Sequence, residues 1–537
     1  MPNRNSHLAS VEYSLVRLAL ALGAVEHGGP LSRNEQRLAQ KAVEWPVPGV
    51  HDVQETAEEI REGGDPLGEQ LIAARPHTKR RRLGQVFTPK SLIGPMVDWT
   101  LERSPTRVVD AGCGSGRFAL EISRRSNAEI IAIDTDPLAT LLTRAGLAAL
   151  GRDRGASVLN ADYTQAKISR HQGRTAFIGN PPYVRHHDLT ADAKAWARLT
   201  AQNFGIRLSG LAGLHAHFFL ATALHGRPGD VGCLVTSSEW LDVNYGDAVR
   251  QLLLNGLGGR SIQIVEPAAF PFGDTATTAV VTCFAIGSRP QRVRMRTVRQ
   301  AADLPPLHSG RAVDRKELAR ATRWSPLVRP ALGIPEGYIQ LGEICRVHRG
   351  QVTGANATWV IPTGQHPRIP ERYLLPSVTR ARELIEAGER LESTEALRRV
   401  IDLPADLGEL AASERSEVEE FLKSARADGV ADGYVARNRR AWWSVGLREP
   451  APLLATYMAR RRPAFVRNAA GARHINIAHG IYPREPLSDR ALYKLAEALR
   501  TIVDPTLGRT YAGGLVKFEP REMERIPVPS LERLLED

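Results

Sequence analysis

Arg107-Val108-Val109-Asp110-Ala111-Gly112-Cys113-Gly114-Ser115-Gly116 runs straight into Arg117-Phe118-Ala119-Leu120-Glu121-Ile122. An apolar strand, a turn with three glycines and the start of a helical pattern follow one another. This is the nucleotide-cradling unit of a doubly wound α/β sheet. Gly112, Gly114 and Gly116 permit positive φ and let a ligand approach the backbone closely. The spacing departs from the dinucleotide fingerprint, and an acid, Asp110, stands at the strand end. A carboxylate there pairs with a cationic amino group and repels a pyrophosphate, so the expected ligand is an amino-acid-bearing nucleoside.

Two more apolar strands end in acids. Glu129-Ile130-Ile131-Ala132-Ile133 leads to Asp134-Thr135-Asp136-Pro137, and Asp134 falls about 20 residues beyond the glycines, where an acid hydrogen-bonds ribose hydroxyls. Ala156-Ser157-Val158-Leu159 leads to Asn160-Ala161-Asp162-Tyr163, which suits an adenine amino group and a ring face. The next strand, Phe177-Ile178-Gly179, runs into Asn180-Pro181-Pro182-Tyr183. Asn-Pro marks turns anywhere, but after three acid-tipped strands this tetrapeptide has a chemical reading. An exocyclic amine on a planar base is a poor nucleophile because its lone pair is delocalised into the ring. The Asn180 amide oxygen and the Pro181 carbonyl can each accept one of its N–H bonds, pulling the nitrogen toward tetrahedral geometry. Prolines stiffen the turn that holds these acceptors, and Tyr183 offers a flat face to an extruded base.

These motifs, preceded by Gly84-Gln85-Val86-Phe87-Thr88-Pro89, resemble in order those of gamma-class adenine-N6 DNA methyltransferases, the modification enzymes of type II restriction–modification systems. The resemblance is close over residues 80–290 and looser beyond. It implies a class I S-adenosylmethionine-dependent methyltransferase sheet, with S-adenosyl-L-methionine as donor, S-adenosylhomocysteine as product and no metal. By the same resemblance Thr88 and Pro89 cover the methionine end, and Asp110, with Ala111 and the glycine turn, takes the amino group. Asp134 then holds the ribose, with Thr135 beside the adenine. Asp162 takes the adenine amino group, and Tyr163, Pro182 and Phe218 wall the ring. The family also has a phenylalanine opposite the tyrosine on the flipped base. Phe270 and Phe272 both occupy the matching place, and either also reads as ordinary core. The implied partners are double-stranded DNA and a cognate restriction endonuclease encoded by a separate gene.

Bulk properties agree with such a chain. Its 537 residues exceed one typical domain. A net charge of +12 suits a polyanion partner. Cys113, Cys233, Cys283 and Cys345 are far apart in sequence, and none follows a proline as a cytosine-C5 nucleophile does. They suggest a reducing compartment without structural disulfides or zinc. His186, His187, His215 and His217 lack an acid or cysteine at metal-ligand spacing. Nothing resembles a signal peptide or a membrane span, so the expected location is the bacterial cytoplasm.

The expected organisation is a helical N-terminal extension over 1–78, with helices at 9–24 and 33–44 that pack on the next domain. A catalytic α/β domain follows over 79–290, an Arg- and Pro-rich linker over 291–335, and an α+β target-recognition domain over 336–537. No nuclease-like acid cluster is found in the extension. Lys79-Arg80-Arg81-Arg82 reads as a solvated charge run beside the donor site. Residues 383–399 and 407–423 read as amphipathic helices, and 347–356 resembles a loop of the family's recognition domains. Between residues 426 and 473 stand ten arginines and three acids, interleaved with Trp442, Trp443, Tyr457 and Phe465. A basic surface over an aromatic core would look the same, but a run such as Arg460-Arg461-Arg462 favours DNA contact. Arg439, Arg440, Arg460, Arg461, Arg462 and Arg467 are therefore the expected DNA-binding residues. Ribosomal RNA adenine or protein glutamine-N5 methylation are the alternatives. The latter uses the same tetrapeptide on an amide but has no need of a basic lobe of about 200 residues.

Overall fold

The computed structural model describes residues 4–152, 155–266, 269, 278–328, 334–459, 462–503, 508–511 and 515–535. The chain divides into two compact units, residues 1–330 with 511–514, and residues 331–510 with 515–537.

The first unit is built on a nine-stranded sheet. In chain order its strands are β1 (Arg107–Ala111), β2 (Glu129–Asp134), β3 (Ala156–Asn160), β4 (Thr175–Gly179), β5 (Val231–Ser237), β6 (Gly259–Val265), β7 (Ala279–Ala285), β8 (Arg292–Val298) and β9 (Arg311–Asp314). Their spatial order is 3-2-1-4-5-7-6-8-9. The first five are mutually parallel and β7 runs antiparallel between β5 and β6. The order reverses between β1 and β4, so a crevice opens at their carboxyl ends, the usual ligand position in such sheets.

Alternation along the strands explains the layering. Val108, Ile130, Ala132, Ala176 and Ile178 join one core cluster, whereas Val109, Ile131, Ile133 and Phe177 join another. Successive strand residues point to opposite faces, and helices cover both. On the first face lie α1 (Arg4–Ala21), α2 (Arg33–Ala42), α3 (Val50–Arg61) and α4 (Pro66–Ala74), and after the short α5 (His77–Leu83), α6 (Lys90–Leu101), α7 (Arg117–Arg125) and α8 (Pro137–Ala149). On the second lie α9 (Ala191–Asn203), α10 (Leu214–His225) and α11 (Asp247–Asn255). The N-terminal helices thus share the sheet's own core: Leu15, Val16 and Ala19 are buried with Leu141, Leu142 and Ala145. Arg144 of α8 is wholly buried, paired with Glu35 of α2 at 2.9 Å and donating to the carbonyls of His27, Pro30 and Val158.

One expectation gives way here. Residues 291–335 do not simply link two lobes, because β8 pairs with β6 and β9 with β8 in the main sheet. Cys233 and Cys283, distant in sequence, face each other across β5 and β7 with their sulfurs 3.6 Å apart, both as free thiols.

The second unit is α+β. A five-stranded sheet orders Cys345–Arg349, Ala478–Pro483, Leu453–Thr456, Phe465–Asn468 and Arg390–Leu391, and a four-stranded sheet contains Leu374–Val378 and Arg398–Ile401. Helices Ala412–Ala427 and Asp489–Ile502 pack on these sheets. The helix expected over 383–399 ends at Ala387, where Gly388 takes a φ of 65° and the chain turns into a strand. Among the described residues no helix is long and apolar enough to cross a membrane.

Candidate active site

β4 ends at Gly179, and the next residue carries the acceptor chemistry. Asn180 Nδ2 donates to the Val86 carbonyl at 2.8 Å and to Thr88 Oγ1 at 3.1 Å. A carbonyl can only accept, so this partner fixes which end of the amide is nitrogen. Asn180 Oδ1 is consequently turned the other way, buried and without a hydrogen-bond partner. Buried amide oxygens are rarely left unpaired, and those that are call for an explanation. Pro181 is buried and Pro182 lies on the cavity wall. The Tyr183 N–H donates to the Gly84 carbonyl at 2.9 Å, anchoring the tetrapeptide to the segment that supplies Thr88. The Tyr183 hydroxyl is buried and unpartnered, and burial holds its proton more firmly than in water.

Beside Asn180 is a cavity of about 360 Å³. Thr88, Gly112, Gly114, Asp134, Thr135, Asp162, Tyr163, Asn180, Pro182 and Phe218 all line it, so residues from four strand ends and α10 converge on one space. Gly112, Gly114 and Gly116 adopt φ of 75°, 57° and 90°, the left-handed turn that carries the chain from β1 into α7. Asp134 accepts the Gly114 and Asp136 N–H groups, each at 2.9 Å, yet burial raises its carboxyl to a pKa of about 6. Asp162 is exposed on the wall, with Oδ1 held by the Thr164 N–H and hydroxyl, both at 2.8 Å. Tyr163 and Phe218 form an aromatic wall with ring centroids 5.1 Å apart, and the Tyr163 hydroxyl is tied to Thr222 at 2.9 Å.

Not every expected residue reaches the wall. Asp110, Ala111, Pro89 and Gly116 do not line the cavity. Asp110 is fully buried beneath the glycine turn, where one oxygen accepts the Ala119 N–H of α7 at 3.1 Å. Its other oxygen has no partner, and burial raises the carboxyl to a pKa of about 7. Its visible role is to cap α7. Phe270 and Phe272 lie outside the described residues. His215 and His217 are held neutral by burial, each with a pKa near 4. Among the described residues no three His, Cys, Asp or Glu side chains gather as a metal site.

Sequence reasoning missed the contribution of the N-terminal helices. Leu71 of α4 lines the cavity, as do Gln85, Arg117 and Asp136. Asp65, the N-cap of α4, pairs with Arg117 and accepts from Ser115 Oγ at 2.9 Å. Arg75, just after α4, is buried and bonded to Asp136, to Gln85 at 3.0 Å and to Glu12 at 2.8 Å. An acid before a proline, as in Asp65-Pro66, is a sequence signal for a helix cap but carries no sign of the cap's distant partners.

In the second unit the arginines separate into two kinds. Arg467 is consumed internally: it pairs with Asp489 at 2.7 Å and donates to the carbonyls of Pro452 and Asn468. Arg439 donates to the carbonyls of Val352 and Thr353, pinning the glycine-punctuated loop. Both arginines thus have partners within the second unit. Trp442, Trp443, Tyr457 and Phe465 belong to hydrophobic clusters, so the aromatics interleaved with the arginines build core. Arg440 and Arg462 are exposed and form no ion pair among the described residues. Arg460 and Arg461 lie outside the described residues.

Two protein-family models match the chain, one described as Eco57I restriction-modification methylase over residues 128–265 and one as the C-terminal domain of the type II methyltransferase M.Eco57I over residues 334–537. The chain is 46% identical over 528 residues to the type II methyltransferase M.XamI of Xanthomonas campestris pv. amaranthicola, spanning 97% of this chain and 99% of that protein. It is 23% identical to the type II methyltransferase M.AccI of Acinetobacter calcoaceticus, over 83% and 85% of the two chains. Among solved structures, the type IIL restriction-modification enzyme MmeI in complex with DNA is similar with a TM-score of 0.57 at 13% identity. That match covers 96% of this chain and 78% of the other, and is a likeness of fold.

Proposed function

Because the chain belongs to the type II methyltransferases of restriction–modification systems, we propose that it transfers a methyl group from S-adenosylmethionine to N6 of an adenine extruded from duplex DNA. Its mixed sheet and flanking helices are of the class I S-adenosylmethionine-dependent methyltransferase kind. The observation that carries the finer reading is the buried, unpartnered Oδ1 of Asn180, fixed at the end of β4 by Val86 and Thr88.

The cavity fits the donor chemically. Asp134 suits ribose hydroxyls, Asp162 an adenine amino group, and Tyr163, Phe218 and Pro182 the faces of a ring. The unpartnered oxygen of Asp110 beneath the glycine turn suits the amino-acid end. Bound there, S-adenosylmethionine supplies an electrophilic methyl group. The chain's own part is to prepare the acceptor. Asn180 Oδ1 and the Pro181 carbonyl accept the two N6–H bonds, which localises the nitrogen lone pair away from the ring. Placing preformed acceptors where positive charge develops costs no reorganisation at the moment of transfer. Tyr183 offers its ring to the extruded base, whose extrusion costs a few kcal/mol offset by stacking and hydrogen bonds. The amine proton leaves after transfer, so no strong general base is required. Cys113 lines the cavity, but burial and the nearby Asp134 and Asp110 charges hold its thiol protonated.

In this reading the partners are double-stranded DNA and a cognate endonuclease encoded separately, against which the methylated site is protected. The test is to incubate the purified protein with methyl-labelled donor and plasmid DNA and to identify the labelled nucleoside by mass spectrometry. N6-methyladenine is expected. N4-methylcytosine would keep the amine chemistry and overturn the choice of base. Label in protein or ribosomal RNA, with none in DNA, would overturn the reading itself.

A further inference from the structure

We propose that the N-terminal helices are part of the methyl-transfer machinery, with Asp65 acting as a positioning residue for Asn180 through Arg117 and Thr88. This rests on the role assigned to Asn180 above. The connection is continuous. Asp65 pairs with the Arg117 guanidinium. Arg117 Nη1 donates to the Thr88 carbonyl at 2.6 Å. The Thr88 hydroxyl accepts from Asn180 Nδ2 at 3.1 Å, and Val86, two residues earlier, accepts from the same nitrogen. Asp65 and Arg117 are largely buried, with side-chain exposures of 14% and 17%, so water weakens their pairing little.

The carboxylate is held from three sides. Oδ1 accepts the Gly68 N–H at 3.0 Å, and Oδ2 takes the Ser115 hydroxyl as well as Arg117. Gly68 permits the approach independently of any charge: a Cβ there would stand 2.0 Å from Asp65 Oδ2 and 2.5 Å from Ser115 Oγ. Helix α4 therefore presses directly on the glycine turn. Just after its other end, Arg75 ties together Asp136 and Gln85, both of which line the cavity. Leu71, between these clamps, lines the cavity itself. The helices before residue 79 thus fix both the turn that faces the donor and the residue that faces the base. A general packing role would not need a carboxylate at one end and a guanidinium at the other, each aimed at a cavity-lining side chain.

If Asp65 acts this way, its loss frees Arg117, slackens the Thr88 carbonyl and lets the Asn180 amide rotate. Misplacement by about 1 Å at a reacting centre can cost on the order of 100-fold. Asp65→Ala in the full-length protein should lower kcat roughly 10- to 100-fold, a larger change than in the donor Kd measured by calorimetry. Asp65→Asn keeps the oxygen that accepts the Gly68 N–H but places an amide NH2 where Ser115 and Arg117 donate, removing the charge that faces Arg117. It should lower kcat as Asp65→Ala does while keeping the α4 cap, and it serves in place of Asp65→Ala if that variant does not fold. Once Arg117 is replaced by Ala, the Asp65 substitution should add little, because both act along one route. A kcat within twofold of the parent for the Asp65 variants overturns the inference. So does a loss that adds fully to that of Arg117→Ala and follows the thermal midpoint. Asn180→Ala is measured alongside. If it too is active, the underlying reading has failed; if it is inactive while the Asp65 variants are normal, only the relay has.

Discussion

An amide with one end satisfied and the other buried and empty is costly, because an unpaired buried polar atom forfeits about 1–3 kcal/mol. Asn180 is such a residue, and the expense makes sense if a substrate N–H completes it. Asn180→Ala should abolish most of the methylation, about 10²–10³ in rate or roughly 2.7–4 kcal/mol, with donor binding retained. Activity within threefold of the parent would remove the residue from the chemistry. Asp110 makes the complementary case for charge. Its folded-state carboxyl sits near pH 7 against an ordinary value of 3.8, chiefly through burial. The folded protein therefore holds a proton that the unfolded chain releases, so this group's contribution to stability is full below pH 4 and declines as pH rises toward 7. Asp110→Asn removes that decline, and the donor-free variant should gain in thermal midpoint over the parent as pH rises, levelling off above pH 7. A donor ammonium beside the carboxylate reverses the preference by favouring the charged form. Donor affinity of the parent should then fall up to tenfold per unit as pH drops below 7, one pKa unit being worth about 1.4 kcal/mol, and that slope should vanish in Asp110→Asn. Parallel profiles for the two proteins would assign Asp110 to capping α7 alone.

Helix α2 shows how a single side chain can serve two elements. Glu35 completes a capping box with Ser32 and also pairs with the buried Arg144 of α8. Removing one partner of a buried pair costs about 3–5 kcal/mol because a charge is stranded. Glu35→Ala should approach that loss, whereas Glu35→Gln, which keeps the cap, should lose less by about 1 kcal/mol. Denaturant unfolding of the two variants separates charge from cap, and equal losses would show that the cap contributes nothing. Such tertiary anchoring is where legibility in the sequence ran out. Strands β1 to β5 were readable because apolar runs between acids and glycines have no other use, and the Gly112–Gly116 turn was readable because three glycines relax φ at once. β8 was not, since Arg292-Val293-Arg294-Met295 reads as charge. Only pairing reveals that Val293 and Met295 face the core while Arg292 and Arg294 face water. Asp65 and Arg75 were invisible as site residues because their partners lie 52 and 61 residues away. Arg439 and Arg467 have internal partners that the sequence does not show, because a guanidinium has the same sequence signature whether it meets phosphate or a backbone carbonyl.

At the level of the whole molecule, the excess of arginine must be divided between guanidiniums already spoken for and those left for a polyanion. Arg467 donates to two carbonyls and to Asp489, and Arg439 donates through one nitrogen to two carbonyls, so both already serve the second unit's own contacts. Arg440 and Arg462 are exposed and make no ion pair among the described residues, so they are left for a polyanion. The two kinds predict different experiments. Replacing Arg440 and Arg462 with Ala should weaken duplex binding and flatten its dependence on salt, each lost phosphate contact lowering the log–log slope by about 0.9. Donor affinity should not change, because the cavity-lining residues all belong to the first unit. Replacing Arg467 with Ala should leave the salt slope intact and instead lower the thermal midpoint, since Asp489 and two carbonyls each lose one donor. A normal slope in the first variant, measured from low to physiological salt on the same duplex, would strip Arg440 and Arg462 of a DNA role. A flattened slope in Arg467→Ala with an unchanged midpoint would show that this side chain leaves its internal partners when DNA binds.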